Sequence, residues 1–125
     1  MLPFHFALRP GLPISDQTVY AARRAIVAGQ LRPGDGFPSV RTLSRELKIN
    51  PNTAHKVIAQ LLADGLLESR PGVGTVVAPL PSSTRTQRTG LLGQQMEELV
   101  VEAKRLSVNL ADLLSAIEHH WNRLS

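Results

Sequence analysis

The first half of the chain carries three stretches in which apolar residues recur every three or four positions, the spacing of an amphipathic helix. The first stretch ends near Ala28, and Ser15 or Asp16 is the predicted cap at its start. The second stretch spans residues 40–47 and follows Ser39, another residue suited to capping. The pattern therefore predicts two short helices separated by a segment rich in proline and glycine.

The third stretch has the clearest boundaries. Asn50 is its predicted cap, Pro51 its first helical residue and Gly65 its stop signal. Ile49 lies in the turn before it, where it is placed to fill the angle between the second and third helices. One face of this third helix is apolar and is predicted to be buried. Its residues are Ala54, Val57, Ile58, Leu61 and Leu62.

Two short apolar runs follow, and both are typical of β-strands. They cover residues 66–70 and 75–78, and residues 71–74 form the predicted tip of a hairpin between them. Helices in this order, followed by a hairpin, predict a winged helix-turn-helix, a fold that places one helix in a DNA groove. The predicted fold class is therefore mainly α with a small β-hairpin, in an N-terminal domain over residues 1–80.

The flanking segments have different patterns. Residues 1–13 contain three prolines and predict an extended arm, and the composition of residues 81–90 is typical of a linker. Residues 91–125 predict a tail of two amphipathic helices. Asn109 is the predicted cap of the second helix and Ser107 a weaker candidate. A single helix broken near Ser107 is the alternative. The apolar stripe that we expect to form a dimer interface consists of Leu92, Met96, Leu99, Ala103, Leu106, Leu110, Leu114, Ile117 and Trp121.

Composition and charge narrow the functional classes. Cysteine is absent, which excludes disulfides and thiolate metal sites, and with no signal peptide or membrane span evident we expect a cytoplasmic protein. The formal net charge is +4. Residues 1–80 hold nine Lys and Arg against five Asp and Glu, whereas residues 81–125 hold five of each. The positive excess therefore lies in the predicted winged helix, where it favours polyanions; simple solubility is the plainer explanation.

The polar face of the third helix carries the first candidate DNA contacts. Asn52, Thr53, His55 and Lys56 cluster near its N-terminus, the part of a recognition helix that reaches base edges. Asparagine suits adenine, threonine a thymine methyl or a phosphate, and lysine guanine or a phosphate. The alternative is a solvated surface with no ligand.

Arg41, Arg70 and Gly72 are further candidates. Arg41 occupies the second position of the second helix, where a cation opposes the helix dipole unless an anion binds there. A pairing of Arg41 with Glu46 or Asp35 is the alternative. Arg70 at the hairpin tip suits a narrow minor groove, and Gly72 allows close approach of the backbone to DNA. A turn that requires a positive φ explains the glycine equally well.

No motif of an enzyme, a cofactor site or a metal site accompanies these residues. The four histidines lack the spacing of a helical zinc site, and there is no phosphate-binding loop or nucleophile elbow. We therefore expect no catalytic activity, no cofactor and no metal. A winged helix that contacts RNA or another protein, rather than DNA, is the alternative function.

The stretch from Pro13 to Ala78 strongly resembles the winged helix-turn-helix of GntR-type bacterial transcriptional regulators. The strings that carry the resemblance are LRPGDGFPSVRTLSREL, INPNTAHKVIAQL and DGLLESRPGVGT. Because only residues 81–125 remain after this domain, the chain resembles the YtrA branch, whose short tail of two helices serves dimerisation. Many relatives have arginine at the positions of Pro51 and His55, so the resemblance does not carry over an operator sequence.

The resemblance implies a homodimeric repressor that binds a double-stranded operator, with targets near genes for membrane transporters. By the same resemblance the DNA contacts are Arg41, Asn52, Thr53, His55, Lys56, Arg70 and Gly72.

A two-helix tail has no interior large enough for a small-molecule effector. We therefore expect any effector pocket at the dimer interface or between tail and winged helix, with Glu102, Asn109, His119, His120 and Trp121 as its polar candidates. A protein without an effector is the alternative.

Overall fold

The computed structural model describes residues 2–124. They fall into two compact units, with the boundary between Pro81 and Ser82. The first unit is the predicted winged helix-turn-helix, and the second is a helical tail. The predicted fold class, mainly α with a small β-hairpin, is confirmed.

The first unit contains three helices and a two-stranded antiparallel sheet. The helices are α1 (Ile14–Val27), α2 (Val40–Leu47) and α3 (Pro51–Ala63). The strands are β1 (Leu67–Arg70) and β2 (Gly74–Val77). Their register pairs the first residue of β1 with the last residue of β2. The resulting hairpin follows α3 directly, which is the order that a wing requires.

The start of α1 differs from the prediction. Pro13, rather than Ser15 or Asp16, occupies the cap position, and no side chain caps the helix. The Gln17 amide donates to the Pro13 carbonyl oxygen at 3.1 Å. Proline suits the start of a helix because its φ is preset and its nitrogen needs no acceptor. The helix therefore starts earlier than the capping signals suggested.

The prediction that residues 1–13 form a simple extended arm is also incomplete, since Phe4 is only 2% exposed and belongs to the core. Its ring lies 5.9 Å from that of Phe37. Between the arm and α1 lies a cavity of about 480 Å³ that is open to solvent. We expected any effector pocket at the dimer interface or between tail and winged helix, so a cavity of this size at this place was not foreseen.

Side-chain hydrogen bonds fix the starts of α2 and α3 and the turn between these two helices. The Ser39 hydroxyl accepts from the amide of Thr42, and the Asn50 side chain accepts from the amide of Asn52 at 2.8 Å, so both predicted caps are present. Within the turn, the Ser44 hydroxyl donates to the Ile49 carbonyl oxygen at 2.8 Å. These bonds satisfy backbone groups that the helix ends leave free.

The core lies beneath α3. Five residues of α3 were predicted to be buried, and four of them are. The exception is Leu62, which is 36% exposed. Helix α3 packs against α1, α2 and β1, and the other four residues belong to one continuous cluster of buried residues. They are Ala54, Val57, Ile58 and Leu61.

The tail is helical over more of its length than predicted. Helix α4 covers Arg85–Gly90, so part of the predicted 81–90 linker is helix. Thr84 and Gln87 form a capping box at its start, a local signal that the linker-like composition obscured. A π-helical turn, Leu91–Gln95, joins α4 to the next helix.

Two further helices complete the tail, α5 (Met96–Arg105) and α6 (Leu110–Arg123). Ser107 has a φ of 59° in the turn between them, and the Asn109 side chain caps α6 as predicted. A hydrogen bond from Arg105 holds the pKa of the Glu102 carboxyl below its usual value.

Replacement of Lys48 is expected to stabilise the first unit. Lys48 ends α2 in the left-handed conformation, with a φ of 55°. A residue with a Cβ is strained there by about 1–2 kcal/mol, and the greater freedom of glycine in the unfolded chain offsets part of this. We expect Lys48→Gly to raise the free energy of unfolding by about 0.5–1 kcal/mol, measured by urea denaturation.

Lys48→Ala is the matched control, because it removes the same charge and keeps the Cβ. It should give no comparable gain. Equal stabilisation by both substitutions would show that the charge, rather than the backbone, is responsible.

Candidate nucleic-acid interface

The exposed face of α3 presents polar side chains from the start of the helix. Asn52, His55 and Lys56 are exposed, and Thr53 is half-buried. Within residues 2–124 the side chains of Asn52, His55 and Lys56 form no hydrogen bond or ion pair. They are therefore available to an external ligand, as the sequence predicted for the polar face of this helix.

The orientation of these side chains follows from burial of the opposite face. Ala54 and Val57 have no exposed surface. In a helix of 3.6 residues per turn, residues between such anchors point away from the core. The Asn50 cap and Pro51 at the first position fix where the helix begins. The first turns of α3 are thus held by the core with their polar side toward solvent.

Arg41 is exposed in the first turn of α2, which contains no acidic residue. It forms no ion pair or side-chain hydrogen bond with any described residue. The Asp35 carboxylate, one of the suggested partners, instead accepts from the Arg32 amide at 2.9 Å. The unfavourable interaction of Arg41 with the helix dipole is therefore not relieved by a carboxylate, and a bound phosphate would relieve it.

Arg70 in the wing forms an ion pair, whereas Arg41 does not. Its guanidinium donates to the Glu68 carboxylate, with Nε and Nη2 at 2.9 and 2.6 Å from Oε1. Both side chains remain partly exposed, at 47% and 40%. Sequence reasoning missed this pair, although alternate residues of a strand share one face and residues 68 and 70 meet that condition. DNA binding by Arg70 requires exchange of this carboxylate for a phosphate or a minor groove.

The conformation of Gly72 is explained by the turn. Pro71 and Gly72 occupy the centre of a turn that the Val73 amide closes on the Arg70 carbonyl oxygen at 3.1 Å. Gly72 has a φ of 76°, as the third position of a type II turn demands. A Cβ built on Gly72 meets no atom within 4 Å, so backbone conformation rather than space selects glycine.

Two basic residues that were not among the predicted contacts lie in α2 and in the turn before α3. Arg45 in α2 and Lys48 in the turn are both exposed, and neither forms an ion pair in the described part of the chain. Arg45 lies four residues after Arg41 and so on the same face of α2, a spacing that could have identified it. For Lys48, charge is the only signal in the sequence. Both are additional candidates for phosphate contacts.

The described residues contain no group of three or more His, Asp and Glu side chains that could hold a metal ion. His119 and His120, adjacent in α6, contact each other edge-on with ring centres 5.5 Å apart. No helix over residues 2–124 is long and apolar enough to cross a membrane.

The fold and the exposed helix define a winged helix-turn-helix protein. Residues 15–77 match the family described as bacterial regulatory proteins, gntR family. The chain belongs to this GntR family and is a transcriptional regulator rather than an enzyme.

Relatives match most of the chain. The transcriptional repressor YtrA of Bacillus subtilis is 29% identical over 90% of this chain and 84% of its own length. The uncharacterised regulator YhcF of the same organism is 31% identical over 86% of this chain and 85% of its own length. The match extends through the short tail, which places the chain in the YtrA-like branch.

A solved structure shares the fold. It is a transcriptional antiterminator from Listeria monocytogenes, with a TM-score of 0.83 at 21% identity, over 96% of this chain and 92% of the other.

Removal of the wing carboxylate tests whether Glu68 competes with DNA for Arg70. We expect Glu68→Gln to raise affinity for duplex DNA by roughly two- to fivefold at low salt, since exposed ion pairs contribute up to about 1 kcal/mol. Fluorescence anisotropy with a labelled duplex measures the change.

The gain should vanish when Glu68→Gln is made in an Arg70→Gln background. Glu97→Gln in the tail is the control for a general loss of negative charge. Equal gains from Glu68→Gln in both backgrounds would contradict competition for Arg70.

Proposed function

We propose that the protein is a homodimeric repressor that binds an inverted-repeat DNA operator through α3. The observation that carries this proposal is the exposed polar start of α3, where Asn52, His55 and Lys56 have no side-chain partner within residues 2–124. On the opposite face Ala54, Val57 and Leu61 have no exposed surface. A surface of this kind, fixed in position and free of internal bonds, suits base contacts in the major groove.

The candidate residues divide into two roles. Asn52 offers both a donor and an acceptor to an adenine, while Thr53, His55 and Lys56 reach neighbouring bases or phosphates. Arg41 and the wing residues Arg70 and Gly72 contact the backbone or minor groove and set the register of α3.

The tail supports the dimeric part of the proposal. Ala103 is the only residue of the described tail that is buried, and Met96 is half-buried, so these two members of the predicted stripe contribute little exposed surface. The other members remain at least 38% exposed. They are Leu92, Leu99, Leu106, Leu110, Leu114, Ile117 and Trp121.

An apolar surface of this extent in a segment with almost no core requires a partner, and a second copy related by a two-fold axis is the commonest one. Such a dimer presents two copies of α3, which would fit half-sites about 34–36 Å apart.

The repressor role is proposed because the similar YtrA of Bacillus subtilis is described as a repressor. Transporter genes are proposed as targets on the resemblance to the YtrA branch alone. Binding to the chain's own upstream region, measured against random duplex, tests the core proposal. With 6–10 phosphate contacts, affinity should fall by about 10³–10⁵ between 50 and 200 mM salt.

Two substitutions separate positioning from base recognition. Arg41→Ala should weaken binding to specific and random duplexes alike and reduce the salt slope by about one unit, since it removes one phosphate contact. Asn52→Ala should cost about 1–3 kcal/mol at one base pair and relax the preference there. Anisotropy titrations across single-base operator variants measure both effects.

Equal losses on specific and random DNA for Asn52→Ala would contradict base recognition by Asn52. Lys104→Ala, a loss of one positive charge in the tail, is the control for Arg41→Ala.

The dimer is tested on α6. Leu114→Glu places a charge in the exposed apolar stripe and should shift sedimentation at micromolar concentration from dimer to monomer, because an unpaired charge would be buried in the interface. Ser115→Glu adds the same charge about 100° away around the helix and should leave the dimer intact.

The far-ultraviolet circular dichroism of both variants should match the parent chain. A parent chain that sediments as a monomer at micromolar concentration would contradict the proposed dimer.

A further inference from the structure

The cavity between the N-terminal arm and α1 is built by specific side chains. Gln17 binds the arm at three points: its Oε1 accepts from the Arg9 amide at 2.8 Å, and its Nε2 donates to the carbonyl oxygens of Arg9 and Leu12 at 2.9 and 3.0 Å. These bonds hold the arm over α1 and leave a volume of about 480 Å³. Small-molecule sites typically measure about 300–1,000 Å³.

Part of the lining of this cavity is aromatic. Phe4, Phe6 and Tyr20 line it, with Ala21 on the α1 side. The rings of Phe4 and Phe6 are stacked with centres 5.9 Å apart. Aromatic walls favour a planar apolar group through offset or edge-on contacts.

Charged groups also converge on the cavity. Arg9 and Arg24 line it, and neither forms an ion pair with a described residue. Asp16 is the one carboxylate in the described lining, and it too has no ion pair there. Two guanidinium groups against one carboxylate leave a positive excess, which favours a ligand with one negative charge.

We propose that this cavity binds a small aromatic carboxylic acid. The ring lies against Phe6 and Tyr20, which retain accessible surface, and the carboxylate accepts hydrogen bonds from Arg9 or Arg24. A guanidinium matches a carboxylate in shape and charge, which is the reason to name an acid rather than a neutral aromatic compound.

The site has a physical connection to the DNA-binding elements. Phe4, in its wall, stacks on Phe37 with ring centres 5.9 Å apart. The Phe37 amide donates to the Thr75 carbonyl oxygen in β2 at 2.9 Å, and Ser39, two residues later, caps α2. A ligand that holds the arm therefore biases the wing and the α2 terminus that carries Arg41. This coupling rests on the proposed function, whereas ligand binding does not.

The test uses the full chain without DNA and three probes: benzoate, phenylacetate and indole-3-acetate, each compared with its primary amide. We expect saturable binding of at least one acid by calorimetry, about tenfold tighter than its amide, since a charged hydrogen bond is lost in the amide. Arg24→Gln or Arg9→Gln should weaken binding of that acid by about tenfold.

Arg23→Gln is the matched control. Arg23 precedes Arg24 in α1 but pairs with Asp64 at 3.3 Å and does not line the cavity. It should leave the affinity for the acid unchanged, although it removes the same charge. Gln17→Ala, which releases the arm, should weaken binding of the acid as well.

Three results would overturn the proposed site. The first is that no acid binds at concentrations up to about 10 mM, roughly ten times a dissociation constant of 1 mM. The second is that acid and amide bind equally, and the third is that Arg9→Gln and Arg24→Gln both bind the acid like the parent chain. A separate titration adds operator DNA to the acid-saturated protein. If the acid leaves the affinity for DNA unchanged, the coupling is wrong. If the chain without any acid does not bind operator DNA, the proposed function is wrong.

Discussion

Burial of the apolar stripe of α3 is the constraint on which the rest of the first unit depends. Ala54, Val57 and Leu61 have no exposed surface, and together they fix both the depth and the rotation of the helix. Burial of these residues fixes the rotation of the helix about its axis, so Asn52 and Lys56 point to solvent. The candidate interface is thus a consequence of core packing rather than a separate feature.

The orientation of α2 relative to α3 depends on the turn between them. Ser44 and Ile49 are joined twice, because the Ile49 amide donates to the Ser44 carbonyl oxygen and the Ser44 hydroxyl donates to the Ile49 carbonyl oxygen. Ile49 itself is buried, so the turn is packed as well as hydrogen-bonded. Lys48 accepts a strained backbone conformation in this turn, which indicates that the geometry of the turn outweighs local preference.

Local signals made much of this structure predictable. The caps Ser39, Asn50 and Asn109 were identified correctly because a side chain that bonds a backbone amide two or three residues away needs no information from elsewhere. The burial of Phe4 could not be predicted in this way. It depends on Phe37, a partner far along the chain, and proline-rich composition around Phe4 suggested an arm without a core contact.

In the candidate site, too, the features set by local sequence were predictable, and the features set by side-chain conformation or tertiary contacts were not. The outward face of α3 follows from helical periodicity, which the sequence displays directly. The pairing of Arg70 with Glu68 requires the rotamers of two exposed side chains, and the cavity beside α1 requires the path of the arm that Gln17 holds. Periodicity defines neither of these. Sequence reasoning therefore identified the outward face of α3, the proposed DNA surface, but missed the Arg70–Glu68 pair and the cavity beside α1.

The exposed tail and the small candidate interface are connected through affinity. Each first unit offers only a few candidate base contacts, chiefly Asn52 and Lys56, and each such contact contributes about 1–3 kcal/mol to discrimination. A dimer binds its second half-site as an intramolecular event, which raises affinity by orders of magnitude without any new contact. In the proposed function, selection of one operator among many sites therefore depends on the apolar surface of the tail as much as on α3. A ligand that moves α2 and the wing in each subunit would act on both half-sites at once, so a small change per subunit would be multiplied in the complex.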